Sequence, residues 1–166
     1  APGDNILNTY SDINATPLIN AIGGTSMASP HTAGAAALLS QIHPEWTESQ
    51  RQSALMLTAI SSQVVKEDWI TDGDPFDYGA GRVNVSAAAL VGFVLDETEA
   101  NFTDANPARG GDPATLNLAS LGQDECLGTC SWTRTISSTL PYTVTWTAST
   151  TGLDLTVTPS TFDLGP

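Results

Sequence analysis

Basic residues are scarce in this chain of 166 residues: 5 Lys+Arg stand against 18 Asp+Glu, a formal net charge of −13. Such a surface repels phosphate backbones, so nucleic acid is not expected as a partner. Anionic membrane leaflets are disfavoured for the same reason, and the acidity reads as a solvated surface. Long apolar runs are missing as well. No stretch of about 18 apolar residues occurs, so no segment spans a membrane and no membrane partner is expected. The N-terminus also lacks the basic start and apolar core of a signal peptide. Cysteine is reduced to Cys126 and Cys130. With no His or further Cys beside them, the pair cannot supply the four ligands of a structural zinc site. A local disulfide is the favoured reading and two buried thiols the alternative; a bridge would put the chain in an oxidising compartment. Gly128, between the two, can bend the chain enough to bring their Cα atoms within bridging range.

What is present falls into two halves with different patterning. Residues 1–92 read as alternating strands and helices, an α/β unit. "NILNTY" and "PLINAI" are short apolar runs flanked by turn residues, as strands are. In "HPEWTESQRQSALMLTAISS", Thr47 and Gln50 have capping-box spacing ahead of an apolar-rich stretch. In "DYGAGRVNVSAAALVG", Asn84 is placed to cap a short Ala-rich helix. Residues 93–112 are polar, acidic and Gly/Pro-bearing, and read as a linker. Over 113–166 the period changes to two: Tyr142, Val144, Trp146 and Ala148 alternate with threonines, as do Leu155 and Val157. Strands are expected near 115–119, 131–137, 142–148, 153–158 and 161–164, an antiparallel β-sandwich. Both halves read as incomplete, the α/β one beginning within a sheet, so the chain is expected to be a piece of a larger protein packed against its N-terminal remainder.

The chemistry is concentrated in "GGTSMASPHTAGAAALL", residues 23–39. Proline lacks an N–H and is best tolerated in a helix's first turn, so Pro30 predicts a helix start at about residues 26 to 27. Ser26 then sits at the positive end of the helix dipole beside unpaired N–H groups, as an oxyanion site requires. From Met27 to Leu39 few positions are polar on any face, which predicts a helix buried all round. On position alone, Ser26 is either a nucleophile or the cap of a buried helix.

The wording of the segment decides between them. "GTSMASPHTAGAAALL" resembles the nucleophile segment of the subtilisin-like serine proteases, the subtilases, and "APGDNIL", "HPEWTESQ" and "YGAGRVNVSAAA" resemble further segments of that family, in its order. The resemblance covers residues 1–92, the C-terminal part of a catalytic domain whose sheet is mainly parallel around a buried central helix. "TLNLAS", "SWTRTIS" and "YTVTW" resemble the fibronectin-III-like domain that follows the catalytic domain in some secreted subtilases. The resemblance implies a secreted, extracellular endopeptidase acting on polypeptide substrates through an acyl-enzyme on Ser26. Gly24, Thr25 and Ser26 would form the nucleophile loop, with the Ser26 N–H helping to hold the oxyanion. In that family Asp and His precede Ser in the chain, so both partners, and the side-chain amide that completes the oxyanion hole, would lie upstream of Ala1. This chain alone is therefore expected to be inactive.

Neither histidine present can replace the missing base. His31 is rotated about 140° round the helix from Ser26, and His43 lies about 25 Å along it. Both read as structural. An α/β-hydrolase is disfavoured, because its G-x-S-x-G elbow would need glycine at Ala28 and its histidine follows the serine. The alternative from another class is an inactive subtilase-like scaffold serving as a binding or adhesion module. No cofactor is expected in these residues. Asp68, Asp72, Asp74 and Asp77 fail the EF-hand pattern, and the loop reads as solvated, which leaves structural calcium to other parts of the parent. Asn14, Asn84 and Asn101 each begin an N-x-S/T sequon.

Overall fold

The apolar runs at the N-terminus form a strand pair, and the chain leaves it through two glycines into one long helix. A computed structural model describes residues 1–9, 19–62, 64–66, 68–123, 126–152 and 154–166. Strand β1 (Ile6–Thr9) pairs antiparallel with β2 (Ile19–Ile22), Ile6 opposite Ile22 and Thr9 opposite Ile19. Helix α1 (Thr25–Ile42) follows, 18 residues long. Helix α2 (Glu48–Leu57) opens on the reciprocal box its spacing predicts: the Gln50 N–H donates to Thr47 Oγ1 at 3.1 Å, and the Thr47 N–H to Gln50 Oε1 at 3.0 Å. Short helices α3 (Pro75–Tyr78) and α4 (Val85–Ala88) come next. Asn84 caps α4 as its position predicts, its Oδ1 accepting from the Ala87 N–H at 3.1 Å.

By their contacts the residues fall into two compact units, one of 1–46 with 55–89 and one of 47–54 with 90–166. In the first, α4 packs on α1, and Ala35, Leu39, Trp46, Leu55 and Ala88 are buried. Two expectations are corrected here. Among the described residues no parallel sheet forms, since β1 and β2 are antiparallel. Nor is α1 buried all round: Ala35 and Leu39 are covered, whereas Leu38 and Ile42 are 53% and 54% exposed. An apolar helix needs neighbours on several sides. Within this unit α4 covers one of them.

In the second unit, residues 93–112 carry β3 (Phe93–Val94) and α5 (Glu99–Asp104), with Val94, Leu95 and Ala105 buried. The buried Ser53 hydroxyl accepts from the Leu95 N–H at 3.0 Å and donates to the Gln50 carbonyl at 2.9 Å, so its burial leaves it bonded. Of the expected sandwich, the described residues form only β4 (Ser137–Ser138), paired with β3, and β5 (Val144–Thr147), paired with β6 (Thr161–Leu164). Leu153, in the 153–158 run, lies outside them. Phe93 meets Trp146 edge-on, ring centroids 5.0 Å apart.

Side chains bond where ladders were expected. The Asn117 amide pairs with Thr135 as a strand backbone would, Oδ1 accepting from its N–H and Nδ2 donating to its carbonyl, each at 2.8 Å. Arg134 donates to the carbonyls of Leu118 and Ser120 at 2.8 and 2.9 Å. These bonds occupy backbone groups in both segments that a sheet would otherwise use.

Glu97 anchors the same network. Its carboxylate accepts from the Asn117 and Thr98 N–H groups at 2.5 and 2.7 Å and from the Asn101 amide at 2.6 Å. Burial works against its ionisation, but these donors and the Arg134 charge outweigh it and hold the carboxyl below the usual glutamate range. A carboxyl so depressed stabilises the fold at neutral pH and loses that contribution as pH falls through its folded pKa. Urea unfolding should therefore find Glu97→Gln less stable than wild type at pH 7, with the gap closing under acid conditions. A gap of equal size at pH 7 and pH 3 would contradict this account.

Candidate active site

Ser26 stands at the head of α1, and glycine makes that head. Gly24, the N-cap, has φ 151° and ψ 167° and supplies no side-chain cap. Its φ belongs to the range that L side chains rarely adopt. Its carbonyl accepts the helix's first bonds, from Met27 N at 3.0 Å and Ala28 N at 3.3 Å. Its own N–H donates to the Gly3 carbonyl at 2.6 Å, tying the helix head to the segment before β1. Thr25 and Ser26 are the first two helical residues, and both are exposed. Among the described residues no partner meets the Ser26 N–H, one of the donors a helix start leaves free. No acidic side chain occupies the first turn to offset the dipole. An exposed hydroxyl and an unpaired N–H on one residue can attack a carbonyl and receive the charge that develops there.

Pro30 does not mark the helix start. The helix begins at Thr25, and Pro30 lies inside it, beyond the first turn. The missing N–H leaves the Ser26 carbonyl without its helix bond. Ser26 and Pro30 are both exposed, and at an exposed turn water can take the place of a lost helix bond.

The histidines do not converge on Ser26. His31 Nδ1 donates to the Met27 carbonyl of its own helix at 2.7 Å. His43, just beyond the other end of α1, stacks on Trp46 with ring centroids 3.8 Å apart and donates through Nε2 to the Ala89 carbonyl at 2.9 Å. The Cys126 and Cys130 sulfurs are joined in a disulfide, Cα atoms 6.0 Å apart, with Gly128 at φ 103° between them.

In the 68–77 loop the carboxylates of Asp68, Asp74 and Asp77 are engaged locally. Asp68 accepts from the Ile70 and Thr71 N–H groups at 3.0 and 2.8 Å. Together with the Thr71 hydroxyl, the largest influence, these donors hold it below the usual aspartate range. Lys66 Nζ reaches Asp74 at 3.1 Å and Asp77 at 3.3 Å. The bond to Asp74, then that to Asp77, raises the lysine, and Asp74 is lowered in turn. Of the sequons, Asn84 is engaged as a cap and Asn101 with Glu97, while Asn14 lies outside the described residues. Sequence reasoning missed Gly3. Its signal was present in "APGD", where a glycine next to proline marks a place the backbone can be approached closely.

An exposed serine at a glycine-built helix head, in a mixed helix and strand unit, is an arrangement that a nucleophile and an ordinary helix start share. Comparison with known proteins narrows it. Residues 1–107 match the model described as the subtilase family, and the chain belongs to that family. It is 33% identical over 140 residues to Subtilisin-like protease SBT1.6 of Arabidopsis thaliana, covering 76% of this chain and 18% of that protein. Subtilisin-like protease SBT1.7 of the same organism is 31% identical over 199 residues, covering 96% of this chain and 26% of the relative. Subtilisin-like protease SBT2.6 is 40% identical over 115 residues, covering 58% and 14%. The chain thus spans about a quarter or less of the length of these relatives. Among the described residues no helix is long and apolar enough to cross a membrane.

Gly24 gives the site its most direct structural test. A Cβ at φ 151° is strained whatever space surrounds it. Gly24→Ala should destabilise the protein by about 1–3 kcal/mol, read as a lower midpoint in chemical denaturation. A variant as stable as wild type would show that this conformation is not what the position demands.

Proposed function

We propose that the chain is part of a secreted subtilisin-like serine endopeptidase in which Ser26 is the nucleophile. The observation that carries this is the place of Ser26: exposed, second in α1, its N–H without a partner among the described residues. The Ser26 oxygen attacks the carbonyl carbon of a polypeptide substrate while its proton passes to a histidine upstream of this sequence, oriented by an upstream aspartate. The Ser26 N–H receives the oxyanion. The C–N bond then breaks, the amine leaves with the proton held by the histidine, and water hydrolyses the acyl-enzyme. Nothing in these steps calls for a cofactor from this chain.

Without those partners the 166-residue chain is inactive, and the N-terminal remainder of the enzyme is its natural packing partner. The exposed Leu38 and Ile42 of α1 support that reading. Residues 113–166 are read as belonging to a fibronectin-III-like domain. The pairing of β5 with β6, in which threonines alternate with Val144 and Trp146, is consistent with it.

Replacing Ser26 by Ala in the full-length enzyme should lower kcat by on the order of 10⁶-fold without loss of fold, since the side chain is exposed. Comparable activity in that variant would end the proposal in favour of another nucleophile. Absence of activity from the wild-type enzyme would favour the inactive scaffold. Secretion is tested separately. The unreduced protein should gain the mass of two hydrogens on reduction, and two alkylatable thiols before reduction would remove the support that the Cys126–Cys130 bridge lends to an oxidising compartment.

A further inference from the structure

We propose that Gly3 is a positioning residue for Ser26, setting the height of the helix head through its lack of a side chain; this rests on the nucleophile reading above. A Cβ built on Gly3 would lie 2.9 Å from the Gly24 carbonyl oxygen and 3.1 Å from Ala28 Cβ. Real Cβ atoms essentially never approach as closely as the first distance, and the second is tighter than most. Both obstacles belong to the head of α1, one a main-chain oxygen and the other the stub of a helical alanine, so neither can swing aside as a flexible side chain would. That same Gly24 oxygen accepts the first-turn bonds from Met27 N and Ala28 N, and the Gly24 N–H is held by the Gly3 carbonyl at 2.6 Å. The first turn of α1 therefore hangs from a peptide clamped to Gly3, and Ser26 lies on that turn.

One methyl group at Gly3 pushes on the Gly24 carbonyl and carries the Ser26 hydroxyl and N–H away from their working positions. Displacements approaching 1 Å cost about 10²-fold in rate when they disturb a reacting group. Because Gly3 acts on the nucleophile and not on the substrate, the loss falls on kcat and spares KM. Neighbouring Gly23 shows the contrast. A Cβ there would meet Asp4 Oδ1 at 2.8 Å, the end of a side chain that can rotate.

The test measures the rate of Ser26 modification by a fluorophosphonate probe in the full-length enzyme, together with kcat and KM on labelled casein and a thermal melt. Gly3→Ala is expected to slow labelling and lower kcat by about 10- to 100-fold with KM within about threefold. Gly122→Ala, where an added Cβ meets nothing within 4 Å, is expected to label at the wild-type rate. Ala28→Gly, which removes one of the two obstacles, is expected to restore part of the rate to the Gly3→Ala chain. Labelling of folded Gly3→Ala at the wild-type rate overturns the proposal, even if its melting temperature falls. If Gly3→Ala does not fold, the double variant decides: recovered fold with slowed labelling supports positioning, and failure to recover either overturns it. A wild-type enzyme that is not labelled at Ser26 instead sinks the nucleophile reading on which the proposal rests.

Discussion

The hydrogen bond from the Gly24 N–H to the Gly3 carbonyl is the contact on which the candidate site depends. It joins the segment before β1 to the N-cap of α1, residues 21 apart in sequence, without any side chain. Both residues in this contact are glycine, each for its own reason. On one side the backbone turns to φ 151°, and on the other an added Cβ would strike the helix. A cap made by serine or aspartate would have put a polar side chain over the first-turn N–H groups. A glycine cap leaves them open, and this is what allows Ser26 to combine an exposed hydroxyl with an N–H that no partner meets among the described residues.

Features set by neighbours in sequence were legible in advance. The Thr47/Gln50 box, the Asn84 cap and the two apolar runs of β1 and β2 each depend on spacings of a few residues. The place of Ser26 near the start of α1 was legible for the same reason, as a small-residue helix led by glycine and serine. The start of that helix was misplaced by one or two residues because the rule applied to Pro30 assumes that a lost helix bond must be avoided. An exposed Ser26 carbonyl can take water in its place.

What could not be read was set by distant partners. The Asn117 amide engages Thr135, 18 positions on, and Glu97 engages the Asn117 N–H 20 positions on. A strand periodicity over 115–119 and 131–137 says which side chains would share a face, but not that an amide and a guanidinium bond the backbone in place of a neighbouring strand. The α1 helix errs in the opposite direction. Its apolar character on every face measures how many neighbours it can accept, while its exposure within this chain depends on how many are present.

Lys66 is one of only 5 basic residues among 18 acidic ones, and it is shared by Asp74 and Asp77. Dissolved salt therefore acts on this molecule in two opposing senses. Counter-ions weaken an exposed clamp such as this one, whose attraction is screened within about 10 Å at 0.1 M. The same counter-ions relax the mutual repulsion of the remaining uncompensated carboxylates, which opposes compaction. A lone clamp contributes little in water, whereas a net charge of −13 is felt across the whole surface. On this balance ionic strength favours the compact chain, while it loosens exposed ion pairs such as the clamp around Lys66.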